Sequence, residues 1–304
     1  MVGRGAPRDM AGLSYEVVAI YGPTAAGKSA VARLVADRLG TEVVSADALQ
    51  VYRGLEILTN QPSEPTRLVG FRDVDETMSV GEYAALAHAA IDELVAAQGS
   101  AVVAGGTGLY LRAAVAELGI PPAVPGAARR RWENAYDRDR HAAHDRLMAM
   151  DPDAARTIHV NDRRRVVRAL ELAQAGASLA PAESALWLEE TRRRTILVGL
   201  EVSDEELGRR IVARTDEMLA RGVQDEVDEA LRRGVSRTAR HALGLEELAS
   251  LPLEEARAQI VRRTRRYARY QRKWMRRIPG LVRVDGERPP DRVADAILDL
   301  VRAR

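Results

Sequence analysis

Short apolar runs alternate with helical patterns along much of the chain. Val17–Tyr21 is a β-branched apolar run, which is typical of a buried parallel strand. Val31, Leu34, Val35 and Leu39 then fall at the spacing of one helix face. This alternation predicts an α/β fold in which helices flank a parallel sheet. Further strands are predicted at 42–47, 101–104, 195–200 and 281–285, and further helices at 80–97, 223–233 and 291–304.

A segment rich in proline and glycine interrupts this alternation. Residues 119–126 have the composition of a linker, and the stretch after them is helical and poor in strands. We therefore predict a helical insertion domain at 121–194. It interrupts an α/β core made of 16–120 and 195–304, and a disordered N-terminal arm at 1–15 precedes that core.

The first predicted strand is followed by a glycine-rich loop and then by the first predicted helix. Gly22 and Gly27 stand five residues apart and are followed by Lys28 and Ser29, which satisfies the phosphate-loop pattern. Glycines let successive N–H groups point inward, toward a phosphate at the start of the helix. Lys28 adds a full charge, and Ser29 can hold a magnesium ion. The pattern predicts a P-loop NTPase-like fold that binds a di- or triphosphate, and an ordinary glycine-rich turn is the alternative.

Two other strand ends carry polar or glycine-rich tips. Asp47 follows the second predicted strand, and the carboxyl ends of parallel strands face the ligand crevice of such a sheet. After the third strand, Gly105, Gly106 and Gly108 surround Thr107. We expect Asp47 and this second turn to lie beside the phosphate loop, on either side of one diphosphate. The alternatives are a helix cap for Asp47 and a mere tight turn for the glycines.

The amino-acid composition excludes several classes of function. The 304 residues include no Cys, which excludes disulfides, thiolate nucleophiles and Cys-based zinc sites and suits the cytoplasm. Hydrophobic residues make up 46% of the chain, which is enough for a core. No apolar run reaches the roughly 18 residues of a membrane span, so no membrane partner is expected.

The net charge is only +2, but the arginines are clustered. Residues 129–131 and 163–168 lie in the predicted insertion, and 262–277 is a densely basic helix that contains Tyr267 and Tyr270. Such a pattern is typical of a protein that binds a polyanion such as RNA, and a solvated charged face is the alternative. One face of this basic helix at 262–277 carries Arg265, Arg269, Arg272 and Arg276.

Six motifs together resemble one family, the tRNA dimethylallyltransferases, also called tRNA isopentenyltransferases or IPP transferases. The likeness runs from Val17 to Asp285 in the order of the family's motifs. The matching segments are GPTAAGKS at 22–29, SADALQVYRG at 45–54, GGTGLY at 105–110, IHVNDRRRVVRALE at 158–171, RIVARTDEML at 210–219 and the basic, Trp-containing helix at 264–276.

The resemblance implies an alkylation. A dimethylallyl group moves from dimethylallyl diphosphate to N6 of the adenine next to the anticodon, in tRNAs that read codons starting with U. Asp47 is implied as the general base, with Lys28 and Thr107 as further catalytic residues, and Mg²⁺ bound at Ser29 as the cofactor. The implied donor-binding residues are Gly22, Pro23, Thr24, Ala25, Ala26, Gly27, Lys28, Ser29 and Arg214.

The resemblance also implies contacts to the tRNA anticodon stem-loop. The target adenine has to leave its stack to reach the crevice, which implies base flipping in a single-stranded loop. The implied tRNA-binding residues are Asp47, Ala48, Leu49, Gln50, Thr107, Arg129, Arg163, Arg164, Arg168, Arg240 and Gly244. We expect the protein to act as a monomer.

Three other functions remain open from the sequence. A small-molecule kinase would use the same loop for ATP, but the strand at 101–104 ends without the carboxylate such an enzyme needs. A prenyltransferase of free adenine nucleotides would have little use for the arginine clusters. The third is a non-catalytic RNA-binding protein that descends from an enzyme and has lost its activity.

The chain departs from the family pattern at 58–62, 66–70, Leu245 and Tyr270, where the family's substrate-lining loops and RNA contacts fall.

Overall fold

The computed structural model describes residues 14–120, 126–179, 186 and 188–303. Nearly all of the predicted N-terminal arm, and most of the predicted linker, lie outside the described residues. The chain forms two compact units. The first unit combines 1–117 with 186–304, and the second is 118–185.

The first unit contains a five-stranded sheet in which every pairing is parallel. The strand order is β2-β3-β1-β4-β5, so the first strand lies in the middle. The predicted α/β class with a P-loop-like parallel sheet is confirmed. The strands are β1 (Val17–Tyr21), β2 (Val43–Ser45), β3 (Ala101–Gly105), β4 (Thr195–Glu201) and β5 (Val282–Asp285).

The helices follow the predicted alternation, with small shifts at their ends. The basic C-terminal helix begins at Leu253, well before the arginine cluster, because Leu253 follows Pro252 and the apolar face extends through Ala256 and Ile260. No helix in the described part of the chain is long and apolar enough to cross a membrane. The helices are α1 (Lys28–Leu39), α2 (Val80–Gln98), α3 (Gly108–Val115), α4 (Gly126–Arg138), α5 (Arg140–Met150), α6 (Pro152–Thr157), α7 (Arg163–Gln174), α8 (Asp204–Ala220), α9 (Val223–Arg233), α10 (Leu245–Ser250), α11 (Leu253–Met275) and α12 (Pro290–Arg302).

Every second side chain of β1, the central strand, packs into the hydrophobic core on one face of the sheet. Val18 and Ile20 of β1 are buried in a cluster that includes Val31 and Val35 of α1 and Ile297 of α12. Successive strand residues point to opposite faces, so Val17, Ala19 and Tyr21 lie on the other face, and they are buried as well. A strand buried on both faces needs the continuous apolar run that the sequence has there.

The sheet brings three loops to one edge. β1, β2 and β3 are parallel neighbours in the order β2-β3-β1, so the segments after them leave the sheet on the same side. β2 is shorter than predicted because the chain departs after Ser45, although the Ala46 N–H still donates to the Ala104 carbonyl at 2.7 Å. The phosphate loop, Asp47 and the second glycine turn therefore share one edge.

A buried arginine fixes the chain where it re-enters the core. Arg112 on α3 is fully buried, and burial lowers its pKa. Its guanidinium donates to the carbonyls of Leu186 at 3.1 Å and Leu188 at 2.7 Å. These bonds compensate the buried charge and hold the segment that leads into β4.

The second unit has a helical core of its own. Leu147, Val166 and Leu170 are fully buried between α5 and α7, and Trp132 of α4 packs on the same cluster. The Trp132 indole N–H donates to Oε1 of Gln174 at 2.7 Å, so its polar edge is satisfied inside the unit.

Candidate active site

The phosphate loop joins β1 to α1, as the motif predicts. Gly27 has φ +85° and Ala25 has φ +65°, both in the left-handed region, which lets the backbone curl back on itself. Gly22 and Ala26 are buried at the base of the loop, and Thr24 is half-buried. The loop thereby offers its amides and the N-terminal end of α1 to an anion.

Lys28 is the cation of this loop. Its Nζ donates to the Pro23 carbonyl at 2.8 Å. The residue is half-buried and its ammonium group is enclosed by protein, and this burial lowers its pKa to about 8. The charge of Asp47 partly opposes that shift, and Arg214 adds to it.

Asp47 lies beside this cation, two residues beyond β2. Its Oδ1 accepts from the Leu49 N–H at 3.0 Å, so the local capping role is real. The same side chain also lines a pocket together with Thr24 and Arg214. Its negative charge raises the pKa values of Lys28 and Arg214 against the opposing effect of burial. Asp47 thus caps the local turn at Leu49 and also forms part of the pocket lining.

Arg214 closes the other side of the phosphate loop. This residue of α8 donates from Nη1 to Oγ1 of Thr24 at 2.7 Å. Burial lowers the pKa of Arg214, and Asp47 opposes this. A guanidinium that is already oriented by a loop residue can stabilise an anion there without further ordering.

The second glycine turn packs closely against the first. A Cβ on Gly106 would lie 2.4 Å from Nε2 of Gln271 and 3.4 Å from Nζ of Lys28, so only glycine fits. Thr107 Oγ1 accepts from the Ala48 N–H at 3.4 Å and also bonds to the Tyr267 side chain. Thr107 therefore connects the segment that carries Asp47 with α11, in addition to its predicted roles in catalysis and tRNA binding.

Gln271 is a site residue that the sequence analysis passed over. It is 3% exposed on α11. Its Oε1 accepts from the Thr24 N–H at 2.8 Å, and its Nε2 donates to the Gly106 carbonyl at 2.9 Å. Its own carbonyl accepts from the Tyr21 hydroxyl at 3.0 Å. One amide thus fixes the spacing of the two glycine-rich turns. A polar side chain on the apolar face of a basic helix is the signal that could have revealed it.

We expect Gln271→Met to weaken binding of the diphosphate donor. The substitution keeps the volume but leaves a Thr24 amide and a Gly106 carbonyl without their partner. Two such losses near an anion site should lower kcat/KM for the donor about 10- to 100-fold, with RNA affinity unchanged. Gln259→Met, a half-exposed glutamine on the same helix, is the matched control. Unchanged donor affinity in Gln271→Met would show that the two turns hold their spacing without it.

The pocket beyond the phosphate loop has a mixed polar and apolar lining. Asp47 and Arg214 supply its charges, and Tyr267 also lines it. The other polar lining residues are Thr24, Thr59, Thr215 and Thr264. Burial raises the pKa of Tyr267 to about 12, so its hydroxyl stays protonated at neutral pH. A ligand with an anionic head and a short hydrocarbon tail matches this division. The apolar lining residues are Leu49, Leu58, Ile211, Met218, Leu243 and Ile260.

A carboxylate on α9 holds part of this wall. Glu226 accepts from the backbone N–H groups of Ile57 at 2.7 Å and Leu58 at 2.8 Å. Burial raises the pKa of Glu226, and these two bonds oppose the shift. The segment 58–62, which departs from the family pattern, is therefore fixed at its start and supplies Leu58 to the pocket.

Three predicted RNA contacts of the first unit are tied to their surroundings. Gln50 accepts from the Ser45 hydroxyl at 3.0 Å and donates to the Asn60 carbonyl at 3.0 Å. Gly244 has φ +105° before α10, in the left-handed region where glycine is favoured. Arg240 is half-exposed and pairs with Glu246 at 3.1 Å.

The predicted contacts of the insertion are mostly engaged in ion pairs within their own unit. Glu171 is 2% exposed and is neutralised by Arg168 at 3.1 Å and Arg129 at 3.8 Å. Arg163 pairs with Asp137 at 2.6 Å. Arg164 is exposed. Arg129 and Arg168 thus compensate a buried carboxylate, a structural role that their spacing alone does not reveal.

Half of the predicted arginine stripe on α11 packs against α8. Arg272 pairs with Asp204, and Arg265 reaches the Gly208 carbonyl at 3.5 Å. Arg269 and Arg276 are exposed. Arg276 directly follows α11, which ends at Met275. The spacing could not indicate that α8 contacts two of the four arginines.

The lowered pKa of Lys28 gives a direct spectroscopic prediction. The chain has two lysines, Lys28 and Lys273. In protein labelled with carbon-13 at the lysine Cε, the Lys28 signal should titrate near pH 8, well below the ordinary lysine value of about 10.4. Lys273→Arg leaves Lys28 as the only labelled residue and so assigns this signal. A Lys28 signal that titrates near the ordinary value would contradict the enclosed ammonium.

The same shift predicts how the affinity for inorganic diphosphate depends on pH. The protonated ammonium binds the anion and is lost as pH rises through about 8, so affinity should fall above that value, by up to about tenfold per pH unit. Lys28→Arg keeps its charge and should flatten this fall. An identical decline in both proteins would assign it to another group.

Fold and site together define a class. The chain is a phosphate-loop α/β protein whose anion site adjoins a partly apolar pocket with a carboxylate in its wall. Within that class, the IPP transferase family model matches residues 50–278, and the chain belongs to this family of prenyltransferases.

Named relatives agree with that assignment. The tRNA dimethylallyltransferase of Streptomyces coelicolor is 42% identical over 276 residues, which cover 86% of this chain and 88% of that protein. Among solved structures, the tRNA isopentenylpyrophosphate transferase of Bacillus halodurans is 31% identical with a TM-score of 0.65, over 94% of this chain and 95% of that one. The tRNA isopentenylpyrophosphate transferase of Staphylococcus epidermidis is 26% identical with a TM-score of 0.66, over 94% and 98%.

Proposed function

We propose that the chain transfers a dimethylallyl group from dimethylallyl diphosphate to N6 of the adenine next to the anticodon of cytoplasmic tRNA, acting as a monomer. One observation carries the proposal: Thr24 of the phosphate loop, the Asp47 carboxylate and a set of apolar side chains line a single pocket. Relatives named tRNA dimethylallyltransferase support the choice of acceptor. The tRNAs that read codons starting with U are the proposed substrates.

The phosphate loop would stabilise the leaving group. In the reaction the bond between the prenyl carbon and the diphosphate oxygen breaks, and the electron pair leaves with the diphosphate. Negative charge therefore grows where Lys28, Arg214 and the loop amides converge. Gln271 keeps the Thr24 amide in place beside them. These groups are ordered before the donor arrives, so they need little rearrangement in the transition state.

Asp47 would activate the acceptor. As the new bond forms between N6 of adenine and the prenyl carbon, the amine must lose one proton. The Asp47 carboxylate lines the pocket, and among the described residues its hydrogen bond comes from the Leu49 N–H to Oδ1, so Oδ2 can accept that proton. The apolar lining excludes water, which would otherwise compete for the prenyl cation.

Magnesium would be held by few protein groups. The described residues contain no cluster of three or more His, Cys, Asp or Glu side chains that could bind a metal ion. Ser29 is exposed at the start of α1, next to Lys28. Mg²⁺ keeps several waters and binds through one or two protein oxygens together with phosphate oxygens, so a single hydroxyl fits it. When bound there, the ion would neutralise part of the diphosphate charge.

The arginines would hold the RNA by its backbone. Arg164 of the insertion is exposed, as are Arg269 of α11 and Arg276, which directly follows that helix. Such contacts fix position without reading sequence, and binding should weaken as salt is raised. Arg129, Arg163 and Arg168 could contribute only if their ion pairs rearrange or share their donors.

A competition experiment tests the proposal. Labelled dimethylallyl diphosphate is incubated with the protein, an anticodon stem-loop RNA and AMP together, and a second RNA carries guanine in place of the target adenine. We expect label on N6 of that adenine only, with one diphosphate released per transfer. Label on AMP would favour a nucleotide prenyltransferase. ATP turnover without prenyl transfer would favour a kinase, and RNA binding without transfer would favour a decayed enzyme.

A further inference from the structure

An exposed aromatic side chain stands at the edge of the pocket. Tyr270 on α11 is 55% exposed. It stacks on Tyr267, with ring centroids 6.3 Å apart and planes inclined by 25°. Tyr267 itself lines the pocket that contains Asp47. The two rings therefore form a continuous aromatic surface from the pocket wall to solvent.

Positive charge flanks this surface. Arg266 lies one helical turn before Tyr270, and Lys273 lies one turn after it, both on the same side of α11. Arg266 is exposed, as is Lys273, and neither forms an ion pair with any residue in the described ranges. Their charges are thus available to an anionic ligand, in contrast to that of Arg272, which is paired with Asp204.

Exposed aromatic rings between cations have a specific use. A base that has lost its stacking partner can stack on a tyrosine, while the cations contact the phosphates on either side of it. A protein partner that buried Tyr270 would also have to cover two uncompensated charges, which is unfavourable. The charge pattern therefore favours single-stranded nucleic acid as the occupant.

We propose that Tyr270 stacks on an unpaired base of the substrate RNA, the neighbour of the acceptor adenine. The inference rests on the proposed function and extends it to one nucleotide outside the pocket. When the acceptor leaves the loop stack, the adjacent base loses a stacking partner. Tyr270 replaces that partner and holds the strand at the entrance, while Tyr267 remains in the pocket wall.

The expected effect is large enough to measure. Removing a ring that stacks on a base should weaken RNA binding about 5- to 150-fold. Tyr270→Leu removes the aromatic face but keeps an apolar side chain, and Tyr270→Phe keeps the face and removes the hydroxyl. The affinity for inorganic diphosphate should not change in either variant, since within the described part of the chain Tyr270 forms no hydrogen bond or ion pair with the phosphate loop.

A double-mutant cycle isolates the stacking contribution. Fluorescence anisotropy measures the affinity of parent, Tyr270→Phe and Tyr270→Leu for an anticodon stem-loop, and for versions that lack the base at each nucleotide flanking the acceptor. For one flanking position, loss of the base should weaken binding to the parent and to Tyr270→Phe, but should have no further effect on Tyr270→Leu. Tyr270→Gln, a polar replacement on the exposed surface, repeats the test should the leucine variant fold poorly.

Arg266→Gln provides the electrostatic control. It should weaken binding to all of these RNAs equally and reduce the salt slope by about 1, without coupling to any base. If removing each base lowered RNA affinity by the same factor in the parent and in Tyr270→Leu, the stacking inference would be overturned. The proposed function would still stand in that case if the parent prenylates the RNA. A parent that neither binds nor prenylates the stem-loop would overturn the inference and the proposed function together.

Discussion

Asp47→Asn is expected to lower kcat by about 10²- to 10⁴-fold while the affinities for donor and RNA stay within a few-fold of the parent. The amide keeps an oxygen that can accept from the Leu49 N–H, so the local turn is preserved. It cannot accept the proton that N6 must lose. The variant therefore separates the two roles that Asp47 holds in the structure. Single-turnover rates with equilibrium affinities for both ligands provide the measurement.

The matched control for this variant is Asp73→Asn. Asp73 is half-exposed and pairs with Arg53, away from the pocket residues. It should leave kcat unchanged. An Asp47→Asn protein that turns over at the parent rate would leave Asp47 with its capping role only, and the base would have to be sought elsewhere.

Lys28→Ala should abolish turnover mainly through the donor site. The ammonium is enclosed beside the loop, and removing it takes away the full positive charge at the centre of the anion site. We expect donor affinity to fall about 10²-fold or more, together with a loss in kcat because the charge on the leaving diphosphate also grows there. Isothermal titration with inorganic diphosphate and steady-state kinetics measure the two effects.

Lys273→Ala is the control that this chain offers, because Lys273 is its other lysine. It lies exposed on α11 and should leave donor affinity unchanged while lowering affinity for RNA. Should Lys28→Ala match the parent in donor affinity and rate, Lys28 lies outside the reacting complex.

The sequence was most informative where function depends on local chain geometry. A phosphate loop needs its glycines, lysine and hydroxyl within a few residues, so Gly22 to Ser29 could be recognised as a unit. The strands of a parallel sheet are buried on both faces, which made Val17–Tyr21 conspicuous. The expected edge position of Asp47 followed from the rule that parallel strands end together.

It was least informative where the site depends on residues far apart in the chain. Gln271 contacts Thr24 across 247 positions, and Glu226 contacts Ile57 across 169. Neither residue belongs to a short pattern that specifies such a contact. Charge patterns had a similar limit, since the predicted stripe could not reveal that Asp204 of α8 pairs with Arg272. A buried partner such as Glu171 also changes the role of the arginines around it.

The central claim is that the phosphate loop stabilises the diphosphate leaving group while Asp47 accepts a proton from N6 of the tRNA adenine. Nucleoside analysis of tRNA from cells lacking the protein tests it most directly. We expect the N6-dimethylallyl adenosine next to the anticodon to disappear, to return with the parent gene and to stay absent with Asp47→Asn. Full retention of the modified nucleoside in cells without the protein, or its complete restoration by Asp47→Asn, would contradict the account.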